Sequence, residues 1–454
     1  MTDTPLTDAV RAYRSSARAR LHVPAHGGGA GSPWLDAWLP GICSWDVTEQ
    51  PELDDLSHPE GPIAAAQAAA AHLFGGARAY YLTGGATQGV QAAVLASLLR
   101  GGSLLAPRDS HRSVLGAALL ADAEVVMVSP ERDPRFGASL GPSVESVERA
   151  LAQHPDIRAV LVPYPSYLGI TPDLEGIARA ARAHGALTIA DAAHGAHFGW
   201  HPALPPAALG QGADMVVAGM HKSGGSLTQT AILLLAESAA ECSEDVALAL
   251  RLIGTSSPSY LLMVSLELAI AAAARDGKER IEPAVAAAAR IVSPARVVSE
   301  RPQDPLRVAL QFDRPADAEE LYRGFAAAGL RGEYLEEGLA LFIVPFGMPK
   351  PEIEMLSAAA AALPAPRPPS GIRTLPTQRI APASALRSPR ERRGLFEAEG
   401  RVSADVVAPV PPGIPALWPG ERITQQALSA IERALAQGLR VLGIEQQSLW
   451  VVAQ

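Results

Sequence analysis

Lys222 stands in GMHKSGGSLTQ between two apolar runs, ADMVVAGM (213–220) and TQTAILLL (228–235). Both runs have the length and content of buried strands, so the lysine falls at a strand end in a glycine-rich turn. An amine in that setting is desolvated, which lowers its pKa and frees a lone pair for Schiff-base formation with a carbonyl. A solvated or ion-paired loop lysine is the plainer reading of any lone lysine. Here it must also account for the strand end, the adjacent His221 and the glycines.

Three further segments bear on that amine. Asp191 closes the apolar run ALTIAD, and a carboxylate at a buried strand end is costly unless a cation pairs with it; capping the next helix is the alternative use. In TGGATQG (83–89), Gly85 lets the backbone approach a ligand closely. The N–H groups of Ala86 and Thr87, opening the next helix, can hold a phosphate, and the Thr87 hydroxyl can add to them. A tight strand-to-helix turn uses the same residues, and neither a Walker A lysine nor a full dinucleotide fingerprint follows. In DSHRS, His111 sits at a strand–helix junction, where an imidazole either stacks on a planar cofactor or caps the helix start. An amine, a buried counter-ion and a phosphate cup together describe a pyridoxal-phosphate (PLP) site, in which Asp191 pairs with the protonated ring nitrogen and helps the ring act as an electron sink. His194, His197 and His201 raise a metal site as a rival; the first two are three apart, but no cysteine or second carboxylate cluster supports zinc, so no metal is expected.

The elements that must position these residues follow from the alternation of short apolar runs with helical stretches from about Arg78 to Leu235. ARAYYLT, SLLAP, AEVVMVS, IRAVLVP and ALTIAD read as strands. GVQAAVLASLLR, SVLGAALLAD, SVESVERALAQH and DLEGIARAARAHG read as helices. The pattern predicts an α/β fold with a mostly parallel sheet covered on both faces, which binds ligands where strand carboxyl ends meet loops. HKSGGS is read as a polar turn. Past about Pro294, LRVALQF, ADAEELYRGFAAAGL, LALFIVPF and PEIEMLSAAAAAL suggest a smaller α+β unit. A Pro- and Arg-rich connector (about 364–393) follows, either a disordered linker or a strapped-down loop. ITQQALSAIERALAQG then reads as a final amphipathic helix.

With 454 residues and a net charge of −9, the chain can bury a large core and offers no clustered basic surface for nucleic acid. Cys43 and Cys242 are far apart and suggest neither a disulfide framework nor a metal site. The N-terminus lacks the apolar core of a signal peptide, and the alanine-rich 64–71 stretch is too short for a membrane span. A cytoplasmic protein is expected.

Over most of its length the chain resembles the PLP-dependent Orn/Lys/Arg decarboxylases of fold type I, in their short form. The resemblance runs through HVPAHGGG (22–29), WDVTEQPELDDLSHPEGPI (45–63), YLTGGATQG, DSHRSV, PYPSYLGITPDLEGI (163–177), DAAHGAHFGWHPALPP, HKSGGSLTQ, TSSPSYLLMVSLELA (255–269) and PPGIPALWPGE. It implies that Lys222 carries the cofactor, Asp191 pairs with the pyridinium, and His111 and Ala193 flank the ring. It further implies that Gly85, Ala86, Thr87 and His221 hold the phosphate and that His194 lies near the phenolic side. The family's dimer shares its active sites, so Ser256 and Ser257 would approach the neighbour's phosphate. The implied organisation is an N-terminal segment (1–60), a PLP-binding large domain (61–290), a small α+β domain (291–365) and a C-terminal region (366–454). The implied activity is decarboxylation of arginine, lysine or ornithine, with Lys222, His111 and His194 as catalytic residues.

The sequence departs from the family at several points. Gly27 replaces the lysine of the N-terminal motif, Ala86 a serine of the phosphate cup, and Ala192 a glutamate. Gly219 and Met220 replace hydroxyl residues, Asp405 a glutamate and Val410 a tyrosine. Each lost phosphate-facing hydroxyl would weaken cofactor binding by about 1 kcal/mol. These departures motivate two alternatives, a PLP enzyme of another type (an aminotransferase or oxidative deaminase) and a non-catalytic homologue.

Overall fold

The structure is a computed structural model that describes residues 4–336, 338–347, 350–368 and 378–453. Seven strands form the central sheet: β1 (Arg78–Leu82), β2 (Ser103–Pro107), β3 (Val125–Val128), β4 (Ile157–Pro163), β5 (Leu187–Ala192), β6 (Met215–Ala218) and β7 (Ala231–Leu235). They lie in the order β1-β7-β6-β5-β4-β2-β3. Four neighbouring pairs run parallel, and β7 is antiparallel to both β1 and β6. The expected mostly parallel α/β sheet is therefore present.

Alternate side chains divide between two cores. Leu104, Ala106, Ala159 and Leu161 pack with the helix Gly85–Leu98 on one face. Leu105, Val160 and Val162 pack with Ile177 and Leu266 on the other. Gly89 brings that first helix onto the sheet, because a Cβ there would lie 2.6 Å from Val217 and 2.7 Å from Leu82.

A 30-residue helix, Tyr260–Ala289, leads out of this layer. Beyond it, β8 (Arg307–Gln311), β9 (Tyr334–Glu336) and β10 (Leu339–Ile343) form an antiparallel sheet in the order β8-β10-β9. Helices Pro315–Ala327 and Lys350–Ala361 cover it through Ala318, Phe325, Ile353 and Leu356. The C-terminal core gathers on the helix Gln425–Ala436.

Three local readings change. The helix after β1 starts at Gly85, so most of TGGATQG is its first turn rather than a loop before it. The Lys222 segment is one helical turn, Met220–Ser223. Short antiparallel strands, Arg440–Leu442 and Ser448–Val452, follow the helix read as final. Of the connector, 369–377 lie outside the described residues, while the part beyond them forms a helix, Pro382–Arg387, and a strand, Arg390–Gly394, of the strapped-down kind. Among the described residues no helix is long and apolar enough to cross a membrane.

Candidate active site

The carboxyl ends of β2, β4, β5 and β6 and the first turn of the Gly85–Leu98 helix open on one cavity of about 920 Å³. Gly85, Ala86, Thr87, His111, Asp191, Ala193, His194, His221 and Lys222 all line it. Residues spread over 138 positions of sequence thus converge because parallel strands deliver their C-terminal loops to one edge.

At the phosphate end, Gly85 adopts φ +74°, a left-handed conformation that glycine tolerates without a Cβ clash. No side chain caps this helix, so its first N–H groups are left to a ligand. His221 donates from Nδ1 to the Thr230 carbonyl at 2.8 Å. Burial lowers its pKa against the effect of that bond, with the Lys222 charge adding to the fall.

Asp191 is buried at the end of β5, and its Oδ1 accepts from the Ala193 N–H at 3.1 Å. Oδ2 accepts no hydrogen bond among the described residues. Burial raises the carboxyl pKa, with the Lys222 charge and the Ala193 N–H opposing it. Such a group needs a cation.

Lys222 is accessible to water, yet its surroundings are dense. Both statements hold because the side chain projects into the cavity rather than off the outer surface. Burial is the largest influence on its amine and lowers the pKa; Asp191 opposes and Arg307 adds to the fall. Nζ lies 3.1 Å from His194 Nε2.

His111 takes the helix-start place of its plainer reading and also faces the cavity. Nδ1 accepts from the Ser113 N–H at 3.1 Å, capping the helix Ser113–Leu120, and the ring still lines the cavity. Because Nδ1 accepts, the neutral ring carries its proton on Nε2. Burial, then the Lys222 and Arg112 charges, push its pKa down to about 4. A neutral ring is the form suited to stacking on a cationic pyridinium.

This donor set fits PLP: an amine for the aldehyde, an unpaired buried carboxylate for the ring nitrogen, an uncapped helix start for the phosphate and a neutral imidazole beside Ala193 for the ring. The other two histidines turn elsewhere. His197 Nε2 faces Asp304 at 3.1 Å, and His201 Nε2 faces Glu282 at 2.7 Å. Ser256 and Ser257 are exposed and do not line this cavity.

A match to the family model for the Orn/Lys/Arg decarboxylase major domain covers residues 4–300, and a second, for the C-terminal domain, covers 371–437. The chain belongs to the Orn/Lys/Arg decarboxylase family. It is a decarboxylase of that family by sequence. An arginine decarboxylase of Bacillus anthracis is 32% identical over 475 residues, covering 98% of this chain and 96% of the relative. One of Bacillus subtilis is 29% identical over 481 residues, covering 99% and 97%. The constitutive lysine decarboxylase of E. coli shares the fold with a TM-score of 0.79 at 19% identity, covering 100% of this chain and 82% of that one. A serine palmitoyltransferase of Sphingomonas wittichii matches at 0.56 and 16% identity, covering 78% and 82%. Its agreement marks the shared fold-type-I layer.

The structure also brings to the site residues to which the sequence reading gave no role. Arg307, at the head of β8, reaches His194 Nδ1 with Nη2. Tyr167 lines the cavity edge-on to His194, with ring centroids 5.0 Å apart. Pro412, Ile414 and Ala416 of the C-terminal region form part of the wall. Arg307 opens an apolar run, where a single arginine reads as a strand's solvated end; only the PYPSYLG segment, carried by resemblance, hinted at Tyr167.

The departures from the family pattern have steric causes. A Cβ on Gly219 would lie 2.3 Å from the Ala193 carbonyl oxygen, so this backbone admits no serine there. Met220 is fully buried against Gly224 and does not face the cavity. Ala192 is likewise buried in the sheet core.

Proposed function

We propose that the chain decarboxylates a basic amino acid, arginine first, to its amine and carbon dioxide, with PLP held on Lys222. The convergence of Lys222, Asp191, His111 and an uncapped helix start in one cavity carries the reading, and family membership sets the reaction. Bound there, PLP supplies the electron sink that receives the pair left when the carboxylate departs. Asp191 keeps the ring nitrogen protonated through a buried charge pair. The first-turn N–H groups of Ala86 and Thr87, with Thr87 and His221, hold the phosphate. His111 and Ala193 fix the ring plane. With the cofactor bound, Lys222 Nζ would take up the proton that the substrate's ammonium group loses and would pass it to the carbon that loses carbon dioxide, with His194 Nε2, 3.1 Å away, orienting that nitrogen.

The names of the relatives favour arginine over lysine or ornithine. Purified chain supplied with PLP and each amino acid in turn is expected to release carbon dioxide and the matching amine, with the highest kcat/KM for arginine. No release from any of the three rejects the substrate class. A keto acid formed without carbon dioxide would mean transamination or oxidative deamination, the alternative that the comparisons do not favour.

We further propose a homodimer in which Ser256 and Ser257 approach the partner's phosphate. Leu21, Trp34 and Trp38 are 98%, 68% and 86% exposed, a cost that a second copy would remove. Sedimentation of the purified chain at several concentrations tests it; a monomer throughout rejects the assembly.

A further inference from the structure

Arg307 does not line the cavity, and its side chain is 1% exposed. Every direction in which it points is occupied by protein. Nη1 donates to the Tyr167 carbonyl at 3.0 Å, Nη2 donates to His194 Nδ1, and Nε lies 3.7 Å from Asp304 Oδ2. Space for it is made at Gly169, where a Cβ would sit 2.9 Å from both Arg307 Cδ and Asp304 Cβ. The guanidinium therefore meets Lys222 through hydrogen bonds only by way of His194, while its charge also bears on the amine directly.

A guanidinium has five donors, no acceptor and a permanent charge. Nδ1 of His194 must then accept, and a neutral imidazole that accepts at Nδ1 carries its proton on Nε2. Nε2 is 3.1 Å from Lys222 Nζ, so the N–H donates to that nitrogen, and Nζ needs a lone pair to receive it. An ammonium in that place would face a donor on Nε2, or else would require His194 to lose both protons. We propose that Arg307 is a positioning residue that fixes the His194 tautomer and thereby keeps Lys222 a neutral, nucleophilic amine.

The groups facing this relay come from several elements. Asp191 from β5 and Glu333 from the segment before β9 favour a charged lysine, while burial and Arg307 oppose it. Burial, then Arg307 and Lys222, with smaller effects of His111 and His221, hold His194 well below its ordinary pKa. Arg307 belongs to β8, in a different sheet from the strand ends that carry Lys222 and Asp191. The state of the lysine is thus tied to the docking of the second sheet, a coupling that local sequence around Lys222 does not contain.

The inference deepens the reading of Lys222 as the cofactor-bearing amine, but its test needs no turnover. In cofactor-free protein labelled with 15N histidine, and with His194 assigned by comparison with His194→Gln, the expected His194 signals are an unprotonated Nδ1 and a protonated Nε2. A protonated Nδ1 overturns the proposal. Competitive acetylation with peptide mass spectrometry then reads the lone pair of Lys222 across pH. Both Arg307→Gln and His194→Gln are expected to slow Lys222 labelling at pH 7 about tenfold, one pKa step. The double variant should slow it no further, because the residues act in series.

If Arg307 acted by charge alone, His194→Gln would leave Lys222 labelling unchanged, which also overturns the proposal. Should Arg307→Gln fail to fold, with Asp304 then facing His197 alone, the wild-type tautomer and the His194→Gln labelling still decide. Failure of decarboxylation with the tautomer intact would reject the proposed function and leave this relay standing.

Discussion

Gly219→Ser would restore a hydroxyl residue of the family pattern, and the structure makes it harmful. Gly219 has φ −81° and ψ 88°, a conformation open to any residue, so the objection is purely steric. A Cβ there would lie 2.3 Å from the Ala193 carbonyl oxygen, 3.1 Å from its carbon and 3.3 Å from its Cα. All three are backbone atoms in the turn directly after Asp191, and none can rotate away. Reaching even a 3.0 Å contact requires the two segments to separate by about 0.7 Å. Overpacking of this kind costs about 1–3 kcal/mol, and with the gap set between two backbones the upper part of that range is expected. The separation also falls between Lys222 and Asp191, the two proposed anchors of the ring. A displacement approaching 1 Å in a catalytic geometry costs roughly a hundredfold in rate. Thermal unfolding of the cofactor-free variant should fall by several degrees, and cofactor uptake, followed by absorbance, should weaken. A Gly219→Ser protein that melts with wild type and binds PLP as tightly would refute the steric argument.

Four further outcomes follow. Lys222→Ala is expected to give no borohydride-stable cofactor linkage and at least about a thousandfold less activity, checked by peptide mass and carbon dioxide release. Asp191 is held above the usual carboxylate pKa, so its neutral form is favoured by folding and its contribution is lost as pH rises through the folded value. Cofactor-free Asp191→Asn should therefore melt above wild type at neutral pH, with the gap closing in acid, while its activity collapses. His111, held near 4 by burial and by the Lys222 and Arg112 charges, contributes stability that is present above pH 6.5 and lost as pH falls toward 4; His111→Phe should flatten that part of the stability–pH curve measured by denaturant titration. Arg108→Ala strands Glu421 in a buried site and should cost about 3–5 kcal/mol by the same titration.

The central sheet was legible because its strands are short, apolar and separated by amphipathic helices, and the family motifs fall on its carboxyl edge. Lys222, Asp191 and His111 could each be placed at a strand end from local pattern alone. What sequence left dark depends on long-range packing. Arg307 acts across 113 positions on His194 through a bond that no local periodicity encodes. Gly219 looked like the loss of a hydroxyl because the motif shows residue type and hides the Ala193 carbonyl behind it. Ser256 and Ser257 stay exposed on a single chain, and their assignment rests on a second copy. The closing strands at 440–452 are only three and five residues long, too short for a period to stand out.

The C-terminal region is a wall of the active site, and its attachment explains why a separate stretch of chain should matter to the chemistry. Arg108, just past β2, donates to both carboxylate oxygens of Glu421 and to the carbonyls of Pro415 and Ala416. Trp418 Nε1 donates back to the Arg108 carbonyl at 3.2 Å, and its indole is fully buried in the same core as the Gly85–Leu98 helix. Burial raises the Glu421 pKa, opposed by Arg108, so the carboxylate depends on that guanidinium to stay charged. This strap sets the preceding turn directly on His111. The Gly413 carbonyl accepts from the Arg112 N–H at 3.1 Å, and a Cβ on Gly413 would sit 2.9 Å from His111 Nε2. Since His111 Nδ1 is already committed to Ser113, the imidazole is fixed at one nitrogen by its own helix and confined at the other by the C-terminal turn. Loosening the Arg108–Glu421 pair should therefore free the ring plane of His111 before it disturbs Lys222 or Asp191, and the cofactor should lose orientation while keeping its covalent anchor.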